Sequence, residues 1–295
     1  MEFIDGISPV KRREEESKVI PKFIEEDRQY KKDEVFLYNL TVEGHTKAHE
    51  VESDFGITSI NELTYIDYDE KKNWWRFRLK ELSYNLDRYD DPIIAQIVEM
   101  SNKISEIYQE LDFWVNNCGE LMIINNRAQI LKRWEKVREY LTYKHPLSSY
   151  EVIMAKEHEM ANAKVEINNI RFIHFIHMYF YQFGRFYSQE NYKIIDMDRF
   201  GSGVSFEVAV NAMRNEIDSK IHRHFEGCMI NSVDSLHMIR KAVKAQNGEV
   251  IYKTCADYYN DGWIVEEANF SFTENIGESH TMYSNLHLTL VQHGR

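Results

Sequence analysis

The chain has 295 residues, 43% of them apolar and 28% charged, with a formal net charge of −12 and a pI near 5.5. That balance fits a globular protein of one large or two small domains. Its acidic surface repels phosphate backbones and anionic bilayers, which excludes nucleic-acid binding as a general activity unless a local basic patch overrides it. With 16 Phe, 18 Tyr and 5 Trp against only 4 Pro and 12 Gly, a sizeable core is expected and low-complexity linkers are not.

Residues 11–34 carry 16 charges of mixed sign, and Pro21 interrupts any helix through them. Residues 1–33 are therefore expected to form a charged arm. It is either a tail packed on the surface or a partner-binding segment that uses apolar residues such as Phe23. The remainder, 34–295, is expected to be a single α+β domain with strands over 35–82, helices over 92–187, and strands with one helix over 203–291.

In the run Val35–Val42, Phe36, Tyr38, Leu40 and Val42 share one face. Leu63–Tyr68 is expected to supply another strand. Over Asn73–Leu82, Trp75, Phe77 and Leu79 alternate with Trp74, Arg76, Arg78 and Lys80, an outward basic–aromatic stripe. Trp74, Arg76 and Arg78, with Phe23, are the candidate partner contacts. After Asp91-Pro92, apolar residues at Ile93, Ile97, Met100, Ile104, Tyr108 and Leu111 predict one helix face. Residues 113–124 read as a hairpin around Asn116-Asn117-Cys118-Gly119. The next helix places Ile130, Trp134, Val137 and Leu141 on one side and ends at Pro146. Ser148 and Glu151 have the spacing of a capping box for a helix to about Asn168. An aromatic-rich helix is then expected over Ile170–Tyr187.

Val204, Phe206, Val208 and Val210 alternate as a strand. In the following strand Ile221, Arg223 and Phe225 share one face, and His222, His224 and Glu226 the other. A helix over Val233–Ala245 is expected to stop at Asn247-Gly248. Val250–Tyr258, Trp263–Phe272 and Met282–Val291 close the chain, the first two joined through Asn260-Asp261-Gly262. Strands, helices, then strands, with hairpins throughout, predict the α+β class: antiparallel strands at both ends of the chain packed on a central helical segment.

No phosphate loop, dinucleotide fingerprint, nucleophile elbow or zincin helix is written in the chain. Gly201-Ser202-Gly203 reads as a turn, and no cofactor is implied. Cys118, Cys228 and Cys255 are an odd, widely spaced set without a CxxC pair, which suits a reducing compartment. There is no leader-like N-terminus and no long apolar run, so a cytoplasmic protein without a membrane span is expected.

Two constellations remain. His222, His224 and Glu226 can converge on a metal ion from one strand face. Arg171, His174, His177, Tyr181 and Arg185 can line a pocket in the aromatic helix that grips an anionic head while the aromatics enclose an apolar body. The composite expectation leans away from catalysis. It is a non-enzymatic interaction protein, an adaptor, immunity-type partner or component of a larger assembly, whose partner is another protein. A carrier of a small apolar or amphipathic anionic ligand is the alternative, and a metal-dependent enzyme the third reading.

Overall fold

One sheet organises the molecule, and the chain enters it in the middle. The structure, a computed structural model, describes residues 30–86, 92–183, 191–197, 205–217, 220–230, 233–242 and 249–294. Phe23, Arg185, Val204, the Gly201–Gly203 turn and the Asn247-Gly248 stop lie outside these residues. The strands are β1 Val35–Ala48, β2 Val51–Asp69, β3 Trp74–Leu86, β4 Glu110–Asn116, β5 Leu121–Ile124, β6 Asn191–Met197, β7 Ser205–Ile217, β8 Lys220–Met229, β9 Val250–Asp261, β10 Ile264–Ile276 and β11 His280–Gly294. The α-helices among the described residues are α1 Pro92–Ser105, α2 Arg127–Lys144, α3 Tyr150–Ala161, α4 Ala163–Ile170, α5 His174–Tyr181 and α6 Val233–Ala242.

The eleven strands lie in the order β5-β4-β3-β2-β1-β11-β10-β9-β8-β7-β6, and every neighbouring pair is antiparallel. From β1 the chain walks outward to one edge at β5 and passes through the helices. It then re-enters at the opposite edge and walks back to β11, which pairs with β1 along Val35–Ala48. First and last strands therefore share one ladder. A large antiparallel sheet with six helices is α+β in kind.

The alternation read in β1 sets the inner face. Phe36, Tyr38, Leu40 and Val42 are all buried, while the residues between them are half-exposed. In α2 the four apolar positions Ile130, Trp134, Val137 and Leu141 are the four buried ones. The hairpin turn between β4 and β5 needs a left-handed residue, which Gly119 supplies at φ 75°. A Cβ there would also lie 2.2 Å from the Phe180 carbonyl oxygen, so this turn is seated against α5.

Helix α5 contacts much of the sheet. Phe180 meets Phe77 of β3 (ring centroids 5.1 Å) and Phe113 of β4 (5.7 Å). Tyr181 meets Phe225 of β8 (5.9 Å) and Phe270 of β10 (5.0 Å). In a flat sheet β4 and β8, seven strand steps apart, would be separated by about 34 Å. That is roughly three times the diameter of a helix with its side chains. Contact with both means that the sheet is not flat.

Several sequence expectations are corrected by this arrangement. The helix after Pro92 stops at Ser105, and Leu111 lies in β4 opposite Leu79, because ladder pairing outcompetes a three-residue apolar step. Ser148 and Glu151 form no capping box. The helix begins one residue later, its N-cap is Ser149, and the Ser148 hydroxyl accepts from Gln96 instead. The helical run is broken at Asn162, which is extended and accepts from the Lys164 N–H through its side chain. It breaks again before α5, so Arg171 and Phe172 precede the aromatic helix rather than belong to it. Strand β2 begins at Val51, twelve residues before Leu63. Tyr30, within the range assigned to the arm, is buried against Phe36, Tyr65 and Phe77 and bonds the Tyr179 hydroxyl (3.0 Å).

Glu81 continues the inner face of β3 after Phe77 and Leu79, opposite the buried Asn61 of β2. Burial pushes its carboxyl up to about 7. The folded state therefore holds a proton there that the unfolded chain releases near its ordinary value of 4.5. Stability from this group is full below pH 4.5 and is lost as the pH rises through about 7. Glu81→Gln should raise the unfolding free energy by on the order of 2 kcal/mol at pH 8 and leave it unchanged near pH 4. Urea titrations at the two pH values decide it, and an equal gain at both would refute the assignment.

Candidate functional site

The expected His222-x-His224-x-Glu226 alternation is formed on the outer face of β8. Ile221, Arg223 and Phe225 are buried on the inner face, whereas His222 and His224 are partly open and Glu226 is exposed. The neighbouring strand completes the group. Register places Asp257 opposite His224 and Cys255 opposite Glu226. One carboxylate oxygen of Asp257 contacts both imidazoles, at 2.9 Å from His222 Nε2 and 2.8 Å from His224 Nδ1. The other ring nitrogen of His224 lies 3.4 Å from Glu226, and His222 stacks on Tyr259.

Partial burial lowers the readiness of His224 to charge, but the bonds and charges of Asp257 and Glu226 outweigh it and hold the imidazole above its usual range. Burial likewise opposes ionisation of Asp257, and the two histidines overcome it, so the carboxyl lies below the usual range. The Cys255 thiol is pushed up, first by burial and then by Asp257 and Glu226. Cys255 and Asp257 carry no signal of this cluster in the sequence, because helix α6 and its flanks separate β8 from β9 and only the ladder register brings them together.

Of the second expected constellation, Arg171, His174, His177 and Tyr181 fall among the described residues and Arg185 outside them. Arg171 lies in the turn before α5, over the Phe172 ring, and His174 is the first residue of the helix. His177 and Tyr181 do meet, with ring centroids 5.7 Å apart, and both contact Phe270. The Tyr181 hydroxyl lies 3.3 Å from Thr254 Oγ1. Beside them Phe175, Tyr179, Phe180 and Phe183 are at most 2% exposed and pack on one another. Deeper, Arg223 donates to Gln182 (3.3 Å), and the Asn260 amide adjoins Gln182 (2.7 Å). A cleft of about 300 Å³ lies elsewhere, between α1 and β2–β3, with Phe55, Ile57, Tyr84, Leu86 and Val98 among its walls.

On the basic–aromatic stripe, Arg76 makes two bonds to Asp112 (2.8 and 2.9 Å) and Arg78 a longer contact (3.5 Å). Trp74 is half-buried beneath the Lys72 ammonium. A more open surface, not foreseen, is the α2–α3 corner. There Tyr143 and Leu147 are 91% and 92% exposed, and Tyr150 and Met154 are 64% and 49% exposed. Tyr150 and Met154 stand one turn apart on α3, hence on one side of it, and Leu147 lies in the turn that leads into that helix. The Arg138–Glu157 pair (3.1 Å) links α2 to α3, and Tyr143 lies in the last turn of α2.

No protein-family model matches the chain, and no curated protein does. Among solved structures the chain is similar to one reported for lipid–protein interactions in lipovitellin, at a TM-score of 0.46 and 10% identity, over 90% of this chain and 26% of that one. It therefore spans about a quarter of that protein's length. Rv2717c from M. tuberculosis is similar at a TM-score of 0.26 and 6% identity, over 86% of this chain and 91% of the other. Likenesses this distant say nothing about activity. No helix among the described residues is long and apolar enough to cross a membrane.

Proposed function

We propose that the protein is a non-enzymatic interaction protein, an adaptor or a component of a larger assembly, in which α5 is the central packing element of the sheet and the α2–α3 corner meets the partner. The observation that carries the reading is the group of large apolar side chains at that corner, Tyr143, Leu147, Tyr150 and Met154, on the outside of the fold. Exposed apolar groups that cluster, rather than scatter, mark contact surfaces. On α2, Lys132, Lys136 and Glu139 precede Tyr143 at helical spacing and make no ion pair among the described residues, so the fitting partner is a polypeptide with apolar anchors flanked by polar groups of both signs.

Native mass spectrometry of the protein isolated gently from its host tests this. An added polypeptide mass is expected with the wild-type chain and should be lost with the Tyr143→Glu, Leu147→Glu double variant. A bare wild-type monomer, or a variant that keeps the added mass, would overturn the proposal. The carrier reading has one support of its own, the apolar cleft beneath α1. In the same measurement it would show as an added small mass that the corner variant retains.

A further inference from the structure

We propose that His222, His224, Cys255 and Asp257, on the outer face of β8 and β9, form a binding site for a divalent zinc-class cation. The site is independent of the α2–α3 corner. Four donors come from two hydrogen-bonded strands, two from each, at alternate positions that a pleated strand must project to the same side. Ligand atoms of His224, Cys255 and Asp257 all lie within 4.8 Å of one another, and His222 joins through the carboxylate oxygen it shares with His224.

Zinc bonds of about 2.0–2.3 Å in a tetrahedron set neighbouring ligand atoms about 3.3–3.8 Å apart. The Asp257–imidazole separations of 2.9 and 2.8 Å lie just below that range and the His224, Cys255 and Asp257 ligand atoms are all within 4.8 Å of one another, so small side-chain rotations can close the site while the ladder stays intact. The Asp257 oxygen contacts a nitrogen of each ring, and a cation would take over that point of convergence.

The donor set selects the ion. Two imidazoles, a thiol and a carboxylate together suit zinc, whereas magnesium and calcium take oxygen ligands almost alone. The surroundings favour positive charge. Glu226 stands 3.4 Å from His224 as a further donor. The residues facing His224 and Asp257 from β7 and β10 are Met213 and Asn269, and those facing Cys255 and Tyr259 from β10 are Ser271 and Glu267. None of these is a cation; of the two lysines next along the site's own strands on this face, Lys220 is paired with Glu266, and Lys253 stands two residues from Cys255. All four proposed ligands are partly open, so the ion has access from solvent.

The test is calorimetric titration of the tag-free full chain with zinc chloride, and with cobalt(II) followed by absorption. One zinc per chain is expected. Cobalt should give a near-ultraviolet thiolate charge-transfer band that Cys255→Ser abolishes and Cys228→Ser retains, since Cys228 lies farther along β8, opposite Lys253. The His224→Ala, Asp257→Asn double variant should bind zinc more than about 100-fold more weakly, given that losing even an outer-shell partner costs about 10- to 100-fold. These positions face outward, and circular dichroism verifies that the variants are folded. Absence of zinc binding by the wild-type chain, a cobalt complex without the thiolate band, or unchanged affinity in the double variant would each overturn the proposal.

Discussion

Replacing Phe180 by alanine should cost about 3–5 kcal/mol of unfolding free energy, the range for emptying a buried aromatic site. Its ring, 2% exposed, meets Phe77, Phe113, Tyr179 and Phe183 at centroid distances of 5.0–5.7 Å. Two of these neighbours are strand residues and two belong to α5 or its end, so a cavity here loosens the sheet from the helix. Collapse into the gap is restricted because the Gly119 turn presses on the Phe180 carbonyl. A typical domain has only about 5–15 kcal/mol in total, so the loss is a large part of the whole. Phe180→Leu, which keeps most of the volume, should cost much less. Urea unfolding followed by tryptophan fluorescence reads both. A Phe180→Ala variant within 1 kcal/mol of wild type would show that α5 is not what the sheet packs upon.

The legible parts of the fold were those where one face is buried and the other wet. Strand β1, the outer half of β3 and helix α2 have that character, and their periodicity names their buried residues directly. The first half of β2 lacks it. Glu52, Ser53 and Asp54 interrupt any apolar alternation, and these positions are strand because β1 lies alongside to pair with them. The breaks around α4 arise from single residues, Asn162 and the turn at Arg171–Ile173, where helical periodicity simply runs on. Half of the outer-face cluster could be read from His222, His224 and Glu226. The other half depended on which strand lies beside β8 and in what register, and that is decided by the order of the whole sheet. The α2–α3 corner was hidden for a different reason: Tyr143 and Leu147 have apolar side chains, and composition gives no sign that they face solvent.

Asp112→Ala should destabilise the protein by about 2–3 kcal/mol, nearer the lower end of what breaking a buried pair costs because Arg76 can turn toward water. Asp112 is 7% exposed. It accepts from Arg76 Nε and Nη2 and from Asn125 Nδ2 (2.7 Å), and its backbone N–H donates to Asn126 Oδ1. One carboxylate thus ties β3 to β4 and both to the entry of α2. Burial opposes its ionisation, but the bonds from Arg76 and Asn125, with the charges of Arg76 and Arg78, prevail and hold it below the usual carboxylate range. For a depressed group the stabilisation is present above the unfolded value, about 3.9, and disappears as the pH falls through the lower folded value. The gap between wild type and Asp112→Asn should therefore be full at pH 6 and shrink below about pH 4. A gap that persists unchanged at low pH would mean the carboxylate charge contributes nothing. In that case Arg76 and Arg78 would not be committed to the fold, and the basic stripe on β3 would again be a surface able to meet a partner.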